Sequence, residues 1–167
     1  MLDRNFFGQL LSWDEAAAFR KELGAEGKQV VFTNGCFDVL HAGHVEYLAW
    51  ARAQGDALVV GLNEDESVRR LKGERRPIVP FADRAKTLLA LRSVDAVVGF
   101  GESTPEALLD RIRPDVHVKS DQYSPDELPE RTVVLAHGGR IALAPHVAGR
   151  STTDVIASII DAYSRHS

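Results

Sequence analysis

The chain has one cysteine among 167 residues, Cys36, which excludes a disulfide within the chain. It lacks any apolar run near the roughly 18 residues that a membrane-spanning helix needs. The N-terminus has no basic stretch followed by an apolar segment, the pattern of a secretory signal. The 20 basic and 24 acidic residues are intermixed, so no basic stripe predicts nucleic-acid binding. We therefore expect a cytoplasmic protein that binds neither membranes nor nucleic acid.

Two common nucleotide-binding motifs are also missing. Neither GxxxxGK[ST] nor GxGxxG occurs, which excludes a P-loop and the usual dinucleotide fingerprint. A length of 167 residues with 44% hydrophobic content suits one globular domain, and we expect no second catalytic domain. We expect residues 1–27 to form an N-terminal helical extension packed on a domain formed by residues 28–167.

The most informative segment lies between a predicted strand and a predicted helix. The apolar residues 29–32 run into small residues, where backbone can approach a ligand closely, and a helical pattern begins near His44. His41 and His44 stand three positions apart, a spacing that projects both side chains the same way in a helix. Free N–H groups and the helix dipole favour an anion at such a helix start. The segment predicts a phosphate site.

Strand and helix patterns alternate along the rest of the chain, which predicts a parallel, doubly wound sheet with ligands at the carboxyl ends of its strands. Ser12 and Glu15 predict a capping box at the first helix. The predicted strands are 29–33, 57–62, 96–100, 116–118, 132–135 and 141–143. The predicted helices are 12–23, 43–54, 63–71, 82–92, one that starts at 103–105, and 152–163.

Other interpretations of these residues stay open. Either histidine alone could be part of a surface turn or a helix start. Histidine is also a common metal ligand, but no cysteine or second histidine pair lies nearby at zinc spacing, so we expect no metal ligands from the protein. Cys36 could be a nucleophile or a small residue packed under a ligand, and we favour packing.

A longer pattern surrounds the histidines: Gly35-x-Phe37-Asp38-x-x-His41-x-Gly43-His44. It resembles the signature of the HxGH nucleotidyltransferase superfamily. Further segments extend the resemblance over most of the chain and are most similar to the adenylyltransferases of D-glycero-β-D-manno-heptose 1-phosphate. These segments are 70–73, 76–77, Arg84, 94–95, 118–119, and Gly149 with Ser151, Thr152 and Thr153.

The resemblance implies a Rossmann-like fold in a single nucleotidyltransferase domain, and transfer of AMP from ATP to the sugar phosphate with release of pyrophosphate. It implies catalytic roles for His41, His44 and Lys72. The implied nucleotide-binding residues are Thr33, Asn34, Gly35, Cys36, Phe37, Asp38, Gly43, Lys119, Asp121, Gly149, Ser151, Thr152 and Thr153. The implied acceptor-binding residues are Asn63, Asp65, Arg75, Arg76 and Arg84.

Several of these roles have simpler alternatives. Ser151 and its neighbours could form only a helix cap, and Asn63 and Asp65 could cap the helix predicted at 63–71. Arg84 could form a surface ion pair. The loop between the strand and the helix that flank the HxGH pattern is called the motif loop. We expect Asp38 to orient this loop by hydrogen bonding, and Mg²⁺ to be carried by the nucleotide phosphates rather than by the protein.

One segment departs from the heptose family. The family usually has Lys-Gly-Gly-Asp-Tyr where residues 119–123 read Lys-Ser-Asp-Gln-Tyr. Asp121 resembles an acid of the cytidylyltransferases that act on glycerol 3-phosphate, whereas Lys119 resembles the heptose enzymes. The alternatives are therefore CTP with a small alcohol phosphate, or a noncatalytic nucleotide-binding module.

The resemblance also implies partners. The substrates would be ATP and a sugar 1-phosphate, and the product would supply lipopolysaccharide core or surface glycans. Many family members carry a fused sugar kinase, so we expect a separate kinase to supply the acceptor. We also expect a homodimer.

Overall fold

A six-stranded, all-parallel sheet with helices on both faces forms the centre of the protein. The computed structural model describes residues 8–145 and 151–164. The strands are β1 (Gln9–Leu11), β2 (Val30–Gly35), β3 (Ala57–Asn63), β4 (Ala96–Phe100), β5 (Val116–Ser120) and β6 (Arg140–Ala144). The helices are α1 (Trp13–Ala25), α2 (Ala42–Arg52), α3 (Asp65–Lys72), α4 (Phe81–Leu89), α5 (Glu106–Ile112), α6 (Arg131–Ala136) and α7 (Thr152–Ser164). The predicted doubly wound parallel fold is confirmed.

The strands lie in the order β1-β4-β3-β2-β5-β6. The chain builds the sheet outward from β2 in one direction through β3 and β4, and in the other through β5 and β6, so the order of the strands switches between β2 and β5. Every residue of the central strand β3 is buried, as expected for a strand covered by helices on both faces. In open α/β sheets, the crevice beyond the carboxyl ends of the strands at such a switch is the usual ligand position. The sequence places the HxGH segment directly after β2 and Lys119 near the end of β5.

Two apolar clusters fill the space between the sheet and its helices. On one face, Leu48 of α2 and Leu88 of α4 pack against residues of the central strands. On the other, Ala16 of α1, Leu109 of α5 and Val134 of α6 pack against the opposite side of the same strands. Within the described residues, no helix combines the length and apolar character needed to cross a membrane.

The segment before β2 contributes both a strand and a helix. Ser12 caps α1: its Oγ accepts from the backbone N of Glu15 at 3.3 Å, and the Glu15 carboxylate accepts from the backbone N of Ser12 at 2.7 Å, which confirms the predicted capping box. The sequence did not predict β1, which has only three residues and pairs with β4 at one edge of the sheet. Whether residues 1–27 form a separate extension stays a prediction.

The predicted strand at 132–135 is wrong, because these residues form part of α6. A short apolar run fits a strand and a buried helix equally well by periodicity. The run lies between β5 and β6, which pair in parallel, and parallel neighbours need a crossover that leaves the sheet. Val134 is buried against the sheet, and its backbone N–H donates to the carbonyl of Glu130 at 3.1 Å.

Candidate active site

A cavity of about 630 Å³ opens at the carboxyl edge of the sheet, around the turn from β2 into α2. It contains residues that are far apart in sequence. The predicted site residues among its lining are Asn34, Gly35, Cys36, Phe37, Asp38, His41, Gly43, His44, Asn63, Lys72, Arg76, Lys119, Ser151, Thr152 and Thr153. The lining residues that had no predicted binding role are Tyr47, Leu71, Ser103, Ser120, Gln122, Tyr123 and Pro145.

Five predicted site residues lie outside this lining. They are Thr33, Asp65, Arg75, Arg84 and Asp121. A further predicted site residue, Gly149, lies outside the described residues. Their predicted roles in ligand binding stay predictions.

His41 and His44 form a stacked pair at the start of α2. Their ring centroids lie 3.9 Å apart, with 27° between the ring planes, as the predicted spacing requires. Phe37, held at a positive φ of 43°, packs edge-on against His44 at 5.3 Å. Burial lowers the pKa of His44 to about 4, and the neighbouring His41 acts in the same direction. His44 is therefore neutral at pH 7, and a bound anion would favour its charged form.

Asp38 joins the motif loop to the loop between α3 and α4. Its buried carboxylate accepts from the backbone N–H of Ile78 at 2.9 Å and of Val79 at 2.8 Å, and it pairs with Arg76 Nε. Burial alone would raise the pKa of Asp38, but these three donors hold it below its usual value. The contacts agree with the predicted orienting role and leave Asp38 ionised at neutral pH.

Arg84 is buried behind the cavity wall. Its three nitrogens donate to the carbonyl of Val79 at 2.9 Å, the carbonyl of Cys36 at 2.6 Å and the carboxylate of Asp65 at 2.7 Å. The side chain is 1% exposed, so the guanidinium has no free face for a ligand. It is neither a surface ion pair nor a lining residue, and it holds the backbone of the motif loop in place.

Thr33 is also fully buried. Its hydroxyl shares a hydrogen bond of 2.7 Å with the Tyr47 hydroxyl and donates to the carbonyl of Val118 at 3.0 Å. Tyr47 also contacts the Val118 carbonyl, at 3.1 Å, and burial raises the pKa of its phenol to about 12. The cluster fastens β2, α2 and β5 together beneath the cavity.

The cations on the α3 side of the cavity differ in exposure. Lys72 is the exposed last residue of α3, and the positive φ of Gly73, 96°, ends the helix there. Arg76 is half-buried by its pairing with Asp38, whereas Arg75 is exposed and outside the lining. Lys72 and Arg76 therefore supply positive charge on this side.

The N-terminus of α7 also borders the cavity. The Ser151 hydroxyl accepts from the backbone N–H of Asp154 at 3.1 Å and donates to its carboxylate at 2.7 Å. Thr152 Oγ1 contacts the carbonyl of Val39 at 3.4 Å. The helix cap that sequence allowed as an alternative is therefore present, and the same residues line the cavity.

Lys119 stands at the end of β5, where it faces the cavity from the β5 side. Its ammonium donates to Glu130 Oε1 at 2.9 Å and to Asn34 Oδ1 at 3.3 Å, and it lies 5.5 Å from the ring centroid of Tyr123. Sequence reasoning missed Glu130, because nothing in the sequence indicates that a lone glutamate near Pro129 folds back onto β5. Asp121, in contrast, is exposed, and only Ser120, Gln122 and Tyr123 of its segment line the cavity with Lys119.

The cavity holds little to bind a metal ion directly. Among its lining residues Asp38 is the only carboxylate, and its oxygens already accept from Arg76 and two backbone amides. The described residues contain no cluster of three or more His, Cys, Asp or Glu suited to a metal. The positive side chains that remain suit anionic ligands.

Comparisons with known proteins agree with this arrangement. A family model described as cytidylyltransferase-like matches residues 32–157. The chain is 54% identical over 139 residues to the bifunctional protein HldE of Geobacter sulfurreducens, and 52% identical over 139 residues to that of Geobacter metallireducens. Each match covers 83% of this chain and 28% of the relative, so the chain spans less than a third of these relatives.

A solved structure is similar as well. The crystal structure of the lipopolysaccharide core biosynthesis protein from Thermoplasma volcanium GSS1 matches with a TM-score of 0.60 and 25% sequence identity. The match covers 72% of this chain and 98% of that chain. The fold, the HxGH cavity and these relatives together define a nucleotidyltransferase enzyme. The chain belongs to the cytidylyltransferase-like family, which confirms the superfamily indicated by its sequence.

Proposed function

We propose that this enzyme transfers the adenylyl group of ATP to D-glycero-D-manno-heptose 1-phosphate, which gives ADP-heptose and pyrophosphate. The supporting observation is that one cavity brings together the stacked histidines, the N-terminus of α7 and Lys72. The heptose acceptor is supported by the sequence resemblance around Lys72 and Arg76, and by the structural similarity to a lipopolysaccharide core biosynthesis protein. The product would supply lipopolysaccharide core or surface glycan synthesis.

The reaction needs no protein nucleophile. An oxygen of the acceptor phosphate forms a bond to the α-phosphorus of ATP, and the bond from that phosphorus to the bridging oxygen breaks as pyrophosphate leaves. Two anions must meet and negative charge grows on the leaving oxygen, so catalysis depends on alignment and electrostatic stabilisation.

The residues around the cavity would provide both the alignment and the electrostatic stabilisation. His41 and His44 would donate to the triphosphate, and the N–H groups at the start of α7 would bind its terminal phosphates. Lys72 would lie between the phosphates of the two substrates. Asp38 would hold the motif loop against the loop that carries Arg76 through its contacts with Arg76, Ile78 and Val79.

Mg²⁺ would be carried by the nucleotide, where it neutralises phosphate charge. The lining fits this role, because its carboxylate, Asp38, already accepts from three protein donors. Mg²⁺ commonly keeps several waters and binds substrate phosphates with few protein ligands.

Cytidylyl transfer to glycerol 3-phosphate or another small alcohol phosphate is the second candidate. The cytidylyltransferase-like family description favours it. Asp121 had favoured it from sequence, but its side chain is exposed and is not among the residues that line the cavity. The homodimer and the separate sugar kinase stay predictions.

Pyrophosphate release separates these candidates. The enzyme is incubated with Mg²⁺, ATP or CTP, and either anomer of heptose 1-phosphate or glycerol 3-phosphate. We expect turnover with ATP and a heptose 1-phosphate. Turnover only with CTP and glycerol 3-phosphate would establish the second candidate, and nucleotide binding without turnover of any acceptor would indicate a binding module.

Histidine variants test the site itself. His41→Ala and His44→Ala should each lower kcat by about 10²- to 10³-fold, the typical cost of losing a donor to the transition state. Nucleotide affinity should change far less. His137→Ala is the matched control, because that histidine pairs with Asp110 Oδ1 at 2.7 Å and does not line the cavity. Full activity in both cavity variants would contradict the assignment.

A further inference from the structure

A buried ion pair adjoins the cavity on the side of β5. The carboxylate of Glu130 is 4% exposed and accepts from Lys119, whose side chain is 14% exposed. Glu130 is the residue directly before α6, whereas Lys119 is in β5, so the pair joins two separate elements. Lys119 lines the cavity, and Glu130 lies behind it.

Stability alone gives a poor reason for this pair. Removing two charges from water is costly, and a buried pair repays the cost only when its remaining polar atoms are also bonded. Oε2 of Glu130 is buried and has no hydrogen-bond partner in the part of the chain that the structure describes. Buried polar atoms of this kind are uncommon in proteins and call for an explanation.

The geometry restricts the ammonium of Lys119 instead. An ammonium has three N–H donors, and Glu130 and Asn34 together accept from two of them. The third has no acceptor among the residues that the structure describes and is available to a ligand. Tyr123 lines the cavity on the same side, with its ring centroid 5.5 Å from the ammonium and 55% of the residue exposed.

We propose that Glu130 is a positioning residue that holds the Lys119 ammonium in place for the bound nucleotide. The inference rests on the proposed function, which assigns this cavity to a nucleotide and an acceptor, and on the prediction from sequence that the acceptor binds near Asn63 and Arg76. Glu130 touches neither substrate, and its effect on ATP passes through Lys119.

The variant Glu130→Gln tests this inference, since it keeps the shape and one acceptor oxygen but removes the charge. We expect the KM for ATP to rise by about tenfold, and the KM for the acceptor to change by less than twofold. Glu127→Gln is the matched control, because Glu127 is an exposed glutamate three residues earlier. It should leave both KM values unchanged.

A second pair of variants shows whether Glu130 acts through Lys119. In a Lys119→Met background, adding Glu130→Gln should change the KM for ATP by less than twofold, because the ammonium to be positioned is absent. A further tenfold rise in that background would overturn the inference. So would a Glu130→Gln variant that melts earlier but binds ATP like the wild type.

Binding is also measured by the rise in melting temperature that Mg²⁺ and ATP cause, since a ligand specific for the folded state stabilises it. This rise should be smaller for Glu130→Gln than for the wild type and the control. If the wild type binds ATP but transfers its adenylyl group to no acceptor, the proposed function fails and the melting comparison still decides the role of Glu130. If it binds no nucleotide, both proposals fail.

Discussion

The substitution Asp38→Asn should lower the free energy of unfolding, although it hardly changes the size of the side chain. The wild-type carboxylate is fully buried and accepts from Arg76 and from the amides of Ile78 and Val79. Asparagine replaces one acceptor oxygen with an NH₂ group and removes the charge. One of these contacts is then lost, and the others weaken.

The expected cost follows from these contacts. A hydrogen bond to a charged group contributes about 1.5–3 kcal/mol, and breaking one partner of a buried ion pair costs about 3–5 kcal/mol. Losing one bond and weakening two gives about 3 kcal/mol at pH 7. For a protein of this size, roughly 2–4 °C per kcal/mol places the fall in Tm at about 6–12 °C.

Thermal unfolding at several pH values is the assay. The folded-state pKa of Asp38 is lowered, so its stabilisation is present above the unfolded value near 3.8 and is lost as pH falls through the folded value. The difference in Tm between wild type and Asp38→Asn should therefore shrink below about pH 4. Asp126→Asn is the control, since its ion pair with Arg131 is exposed. If Asp38→Asn lowers Tm by less than about 2 °C at pH 7, Asp38 does not hold the two loops together as we infer.

Three further predictions concern buried polar side chains. Thr33→Val should lower stability by about 1 kcal/mol and change the KM for ATP by less than twofold, because its hydroxyl bonds inside the protein. Arg84→Lys should cost about 3 kcal/mol, since lysine cannot reach all three acceptors, whereas the exposed control Arg111→Lys should cost little. Burial, together with the charge of Lys119, lowers the pKa of His117 to about 3. The Tm of the wild type should therefore decrease as the pH is lowered from 6.5, and it should decrease less steeply in His117→Phe.

Each of these has a contrary result that is easy to measure. A large rise in the KM for ATP in Thr33→Val would support the role in nucleotide binding that the sequence predicted for Thr33. Equal melting of Arg84→Lys and Arg111→Lys would remove the structural role of Arg84. For His117, the unfolded state takes up a proton between about pH 6.5 and 3 while the folded state does not, so an unchanged slope in the Phe variant would exclude this histidine as a source of acid sensitivity.

The local patterns of the sequence were sufficient for the order of most strands and helices. The apolar runs of β2 and β3, the capping box at Ser12 and the helical spacing after His44 depend on near neighbours, and each was predicted. The run at 132–135 was not, because its conformation depends on the parallel pairing of β5 with β6. The edge strand β1 is too short to leave a pattern.

The same distinction applies to the site. Sequence by itself determined the class of chemistry, because the motif from Gly35 to His44 is local and places two imidazoles at one helix start. Only the tertiary structure decided which polar residues face the cavity. Thr33 and Arg84 are buried behind the wall, and Asp121 is exposed and outside the lining, whereas Glu130 folds back onto Lys119. Side-chain direction and long-range pairing arise from how strands and helices pack, and residue type and spacing along the chain do not encode them locally.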